Sequence, residues 1–186
     1  ALLCERPTPL ACEQCGACQR AATFSDNEPP LPAHPDFLLV ARGLYRSVIP
    51  AREATGISIE QIRRIVLSRA GFAPHEGRAV VCILRGADEL TVSAANALLK
   101  PLEEPPPRTF FVLLTSKPSR LLDTIRSRTL PIRFGPLADE TVARLLTERG
   151  LDAKLAPLAQ GSMEQALALS DVEALTSREE FAKHVL

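Results

Sequence analysis

Apolar residues along this chain gather into short continuous runs, separated by segments in which they recur every three or four positions. Three runs, Phe37 to Val40, Ala79 to Leu84 and Thr109 to Thr115, have the length and the β-branched or aromatic content that predict strands. The second, AVVCIL, is almost continuously apolar, which predicts the centre of a parallel sheet; the third reads as another buried strand. Between them the period becomes helical. Ile59, Ile62, Ile65 and Val66 form a stripe behind a start at Ser58 or Thr55, and Gly71 and Pro74 interrupt it. Ala95, Leu98, Leu99 and Leu102 form a second stripe that opens at Thr91 or Ser93, tolerates Pro101 and stops at Pro105 to Pro107. Leu121 to Arg126 and a short LPIRF strand come next. Past Gly135-Pro136 the pattern is helical throughout: an amphipathic helix over Leu137 to Arg149, another around Lys154 to Ala159 and one beginning near Ser162. Asp171 to Leu186 adds a helix or leads toward a further domain.

The chain has 186 residues, with 22 basic and 22 acidic side chains and 46% hydrophobic composition. Such a chain can form one large or two small folded domains. Zero formal net charge removes a general basic-tail route to nucleic acid and leaves only local patches. No run approaches the roughly 18 apolar residues of a membrane span, and Ala1 opens no basic signal segment, so the cytosol is the expected setting.

Four of the five cysteines, Cys4, Cys12, Cys15 and Cys18, form a C-x7-C-x2-C-x2-C pattern. Four thiolates at that spacing can surround one tetrahedral zinc ion and leave no open coordination position, so the metal would brace the fold without activating water. Disulfides, reduced thiols and another metal are the alternatives. Cys82 lies in the AVVCIL run and reads as an inert core thiol. Pro29 to Pro35 reads as a connection. His34, His75 and His184 are dispersed and read as structural or solvent-facing, and Arg63 and Arg64 read as solvated helix charge.

In an open α/β sheet, chemistry collects at the C-terminal ends of the strands. The central strand exits into Arg85, Gly86, Ala87, Asp88 and Glu89, and the third exits at Thr115, whose hydroxyl suits either a phosphate or a local cap. The set Ala87-Asp88-Glu89-Leu90, Asn96-Ala97-Leu98-Leu99-Lys100, Leu102-Glu103-Glu104-Pro105-Pro106 and Ser127-Arg128 resembles bacterial DNA polymerase III clamp-loader subunits, an AAA+ family. The cysteine cluster resembles that family's inserted zinc module. The resemblance implies a partial AAA+ α/β parallel-sheet domain over 1–135 that includes the zinc module at 4–18, a small helical lid domain over 136–170, and a helix or linker over 171–186 toward an absent domain. Ala1-Leu2-Leu3-Cys4 resembles the tail of the helix that follows the family's phosphate loop, so a preceding segment is expected.

The same resemblance implies a ring that loads the sliding clamp onto primed DNA, with ATP and Mg2+ held between subunits. Partners would be gamma/tau ATPase subunits, the delta subunit and, through the assembly, the clamp and DNA, without base specificity. Arg85 and Gly86 stand where a hydrolysing member carries its Asp-Glu pair, and Glu164 stands where such a member carries a nucleotide-sensing arginine. A guanidinium cannot ligate magnesium, and glycine supplies no base. These departures favour the nonhydrolysing delta-prime branch. Arg128, supported by Ser127, would act in trans on a neighbour's ATP, the other reading being a surface ion pair. Thr129 departs from the family's usual SRC. A gamma/tau-like ATPase and a solitary zinc-stabilised interaction domain are the competing readings.

Overall fold

The structure is a computed structural model that describes residues 1–6, 9–25, 31–44 and 56–170. Expectations for Thr55, His184, 29–30 of the proline run and 171–186 fall outside those residues. Contacts divide the chain into two units, Ala1–Pro131 and a second from Ile132 onward.

Among the described residues, the first unit is built on a three-stranded parallel sheet in the order β1-β2-β3, with β1 at Phe37–Ala41, β2 at Val80–Arg85 and β3 at Thr109–Leu114. The expected central strand is central. One face of the sheet carries Val40, Cys82 and Leu84 into the main core, where they meet Ile62, Val66, Leu98 and Ile125. The expectation of a fully buried third strand is corrected. Among the described residues β3 lies at the edge of the sheet, with Phe110, Val112 and Leu114 exposed while Phe111 and Leu113 pack on the core, the alternation of a half-covered strand.

Helix α1, Gly16–Ala22, belongs to the cysteine module. The Ile59 stripe folds as a short α2 (Ile59–Gln61), a π-helical stretch at Ile62–Leu67 and a short α3 (Ser68–Ala70) that ends at Gly71. Its start is a reciprocal cap: the Ser58 hydroxyl accepts from the Gln61 N–H, and the Gln61 side chain accepts from the Ser58 N–H. The Gln61 amide also donates to the Ala41 and Leu44 carbonyls, both at 3.0 Å, tying the helix to the end of β1. Gly56 lets the backbone pass close to the loop after β2; a Cβ there would sit 2.4 Å from the Glu89 carbonyl. Helix α4, Val92–Glu103, begins at Thr91, runs through Pro101 and ends ahead of the proline run. A short α5 spans Asp123–Arg126.

The LPIRF strand is not formed. Residues 130–134 have neither helical nor strand structure, and Leu130, Ile132 and Phe134 are 88%, 73% and 89% exposed. Pro131 removes one donor, and no described strand pairs with the segment, so alternation alone does not make it a strand. In the second unit, α6 (Asp139–Glu148) and α7 (Met163–Ser170) enclose a small core of Val142, Leu146, Ala156, Ala159 and Ala166. The helix expected near Lys154 is two short 3₁₀ turns, Ala153–Leu155 and Pro157–Ala159, because Pro157 interrupts regular α-helical bonding.

A buried carboxylate organises the region just before β1. Asp36 is fully buried and accepts from the backbone N–H groups of His75, Glu76 and Gly77 at 2.8 to 2.9 Å and from Arg69 at 2.5 Å. Burial alone would raise its pKa, but those donors together outweigh it and bring it down to about 2. His34, also buried, accepts the Asp36 N–H at Nδ1, so its neutral ring carries the proton at Nε2, 3.6 Å from Glu76. Burial lowers its pKa. Glu76 in turn receives two bonds from Arg20 of α1, at 2.6 and 2.7 Å, joining the cysteine module to this loop.

Both shifts leave the unfolded chain holding more protons as pH falls, so each group loses stability on acidification. The His34 contribution should fade as pH drops through about 6.5, the ordinary histidine value, and the Asp36 contribution between about 4 and 2. Urea unfolding across pH should therefore show two steps, with His34→Asn removing the upper one. At pH 7, Asp36→Asn should cost about 3 kcal/mol because Arg69 is left without its carboxylate.

Candidate functional site

The cysteine module converges as its spacing predicts. The sulfurs of Cys4, Cys12, Cys15 and Cys18 all lie within 4.8 Å of one another, with Cys4 to Cys15 and Cys12 to Cys18 each at 3.9 Å. Zn–S bonds of about 2.3 Å in a tetrahedron place sulfurs about 3.8 Å apart, so the set fits one tetrahedral ion. Local backbone geometry supports it. The Cys15 N–H donates to the Cys12 sulfur at 3.3 Å, and the Cys18 N–H to the Cys15 sulfur at 3.4 Å, the latter also capping α1. The backbone N–H of Cys12, then that of Arg6, draws the Cys4 thiol down to about 6 against the opposing effect of burial. Cys15 is lowered first by the backbone at Glu5, while burial pushes Cys18 up to about 11. Charge is thus easiest to place on Cys4 and Cys15, and a bound cation would favour ionisation of all four. Among the described residues, this is the one group of three or more Cys, His or acidic side chains whose ligand atoms converge. Cys82 lies apart in the core, its thiol pushed up to about 12 by burial.

At the exit of β2, Arg85 is exposed and Gly86 turns the chain with φ of 74°, a left-handed conformation that glycine adopts freely. The chain then enters a 3₁₀ turn at Ala87–Glu89. The Thr115 hydroxyl donates to Asp88 at 2.6 Å and accepts the Lys117 N–H at 2.9 Å, which realises its local capping role. A cation and a glycine therefore occupy the first two positions at the strand end, and the nearest following carboxylate, Asp88, is held by a neighbouring strand exit.

Arg128 lies in the turn after α5, ahead of residues 130–134, which form no strand. Its Nε donates to Glu103 at 2.6 Å, its Nη2 pairs with the same carboxylate, and its Nη1 donates to the Thr124 carbonyl at 2.9 Å and the Ser127 hydroxyl at 3.2 Å. The side chain is still 31% exposed. Ser127 thus touches Arg128 directly. Thr129 caps backward onto Ile125 and Arg126, so its hydroxyl is taken up within the turn. Glu164 is exposed in the first turn of α7. Arg63 and Arg64 both pair with Glu60 on the helix surface.

Two arrangements were not visible in the sequence. Glu103 meets Arg128 across 25 positions, and Asp36 meets Arg69 across 33. The proline run after Glu103 marked a helix end, but nothing in the spacing identified a carboxylate aimed at a distant arginine.

Residues 1–138 match the protein family described as DNA polymerase III, delta subunit. The chain is 35% identical to DNA polymerase III subunit delta' of Pseudomonas aeruginosa over 95% of its length and 48% of that protein. It is 33% identical to the delta' subunit of Escherichia coli, over 96% of this chain and 50% of that protein. DNA polymerase III subunit tau of Bacillus subtilis is 29% identical over 92% of this chain and 29% of its own length. The chain spans about half the length of the delta' relatives it matches. With its parallel α/β core, four-cysteine cluster and following helical unit, the chain belongs to the family of bacterial DNA polymerase III clamp-loader subunits.

Proposed function

We propose that this chain is the nonhydrolysing, delta-prime-type member of a clamp-loader ring, that its cysteines hold structural zinc, and that Arg128 serves an ATP site in an adjacent gamma/tau subunit. The observation that carries this reading is that β2 exits into Arg85 and Gly86, the positions that, by the family resemblance, hold acidic side chains in an ATPase. A guanidinium there repels Mg2+ and cannot accept a proton from attacking water. Glu164, negatively charged and exposed, is likewise ill suited to ATP phosphates. The chain's contribution is then assembly and charge. Arg128 is permanently cationic and partly exposed, so it suits the negative charge that develops on transferring phosphoryl oxygens. In this role the chain works with gamma/tau and delta subunits, which hold ATP and Mg2+ among them, and through them on the sliding clamp and on primed DNA contacted through its backbone.

Similarity to tau subunits gives a second reading, a hydrolysing gamma/tau-type subunit. The two differ in isolated activity. The full-length protein alone should show no ATP hydrolysis above buffer; turnover comparable to a clamp-loader ATPase would reverse the assignment.

In the reconstituted ring, Arg128→Ala should leave assembly and metal content intact and lower ATP hydrolysis by about 10³- to 10⁵-fold at the site it faces. Unchanged hydrolysis at that site would remove Arg128 from the mechanism. Elemental analysis should find one zinc per chain, and Cys15→Ser should lose it. Because the helix α1 that carries Arg20 to Glu76 starts at this cysteine, the variant should also lower the melting temperature by on the order of 10 °C.

A further inference from the structure

We infer that Glu103 is a positioning residue for Arg128, holding its guanidinium so that the Nη end is presented outward to a phosphate of the neighbouring subunit. This deepens the trans-acting reading of Arg128 and rests on it. An arginine has five N–H donors in a rigid planar fork. Glu103 takes the Nε edge, through Nε at 2.6 Å and through Nη2. The remaining contacts are of a different kind. Nη1 meets a neutral carbonyl at 2.9 Å and a hydroxyl at 3.2 Å, which a charged phosphate oxygen can replace. One Nη2 hydrogen is left over. A phosphate approaching the two Nη atoms therefore need not displace Glu103, which remains bonded on the far side and prevents rotation about the long side chain.

The clamp is mounted on packed elements. Glu103 ends α4 and Thr124 lies in α5, and each helix sends a residue, Leu98 and Ile125, into one core. The proline run begins two positions after Glu103 and restricts the chain there. A flexible arginine would lose rotamer freedom each time it engaged phosphate; one already held loses less. Without Glu103 the guanidinium keeps its charge but not its orientation, so the effect belongs in turnover, with little change in substrate affinity.

The experiment uses the full-length protein assembled with its partner ATPase subunits and measures ATP hydrolysis under saturating and limiting ATP. Glu103→Ala should lower kcat about tenfold and leave KM within about twofold, with assembly and zinc content unchanged. Glu103→Gln keeps an oxygen acceptor and should recover part of that loss. The double variant Glu103→Ala with Arg128→Ala should hydrolyse ATP no more slowly than Arg128→Ala alone, since both act through one guanidinium. A wild-type or raised rate in Glu103→Ala, beside a defective Arg128→Ala, would overturn the positioning role and leave the trans-acting role standing. Additive loss in the double variant would also overturn it, by showing that Glu103 acts elsewhere. If Arg128→Ala itself hydrolyses normally, the trans-acting reading fails and Glu103 loses its role with it.

Discussion

An apolar strand can be withdrawn from water only if both of its edges are hydrogen-bonded, and in this chain β2 sets that requirement. Val80, Val81, Cys82 and Leu84 are buried, and parallel ladders to β1 and β3 satisfy the backbone on both sides. Parallel pairing forces each connection to cross back over the sheet, which is why helical segments separate the strands and cover the face carrying Cys82 and Leu84. It also aligns the strand exits. Ala41, Arg85 and Leu114 lie in register at one end, so the residues that follow β2 and β3 can meet, as Asp88 and Thr115 do.

The opposite end depends on charge. Asp36, immediately before β1, collects backbone donors from the turn at 75–77 and a guanidinium from Arg69. Glu76 from the same turn reaches Arg20 on the helix that begins at Cys15. The cysteine module is therefore attached to the sheet through a short series of paired charges. Its own core is little more than the four sulfurs and Ala17, too small to define a structure by hydrophobic burial alone. Convergent thiols supply the missing constraint within the module, and the Arg20 pair passes it to the sheet.

Features that depend on local order were legible in the sequence. The central position of β2 followed from its unbroken apolar run, the caps at Ser58 and Thr91 from side-chain chemistry, and the cysteine cluster from ligand spacing. Features that depend on a partner far along the chain were not. LPIRF has strand-like alternation but no described strand beside it, and β3 has the composition of a buried strand but lies at the edge of the described sheet. Lys154 to Ala159 has a helical apolar period, yet Pro157 divides it into tight turns. The surroundings of Arg128 were hidden for the same reason, since Glu103 is its neighbour only once α4 and α5 share a core.

Arg85 and Arg128 carry the same group and are read as having opposite consequences because their settings differ. In the proposed function, a cation at the exit of β2 stands where a metal-bound phosphate would be received, so its charge would oppose chemistry there. A cation in the turn after α5 is held by a carboxylate on one edge and by neutral oxygens on the other. Its edge toward Glu103 is already compensated, and its exposed edge can exchange weak contacts for a charged one. The distinction lies in what each guanidinium is bonded to: an arginine fixed on its inner side can lend its charge outward at small entropic cost.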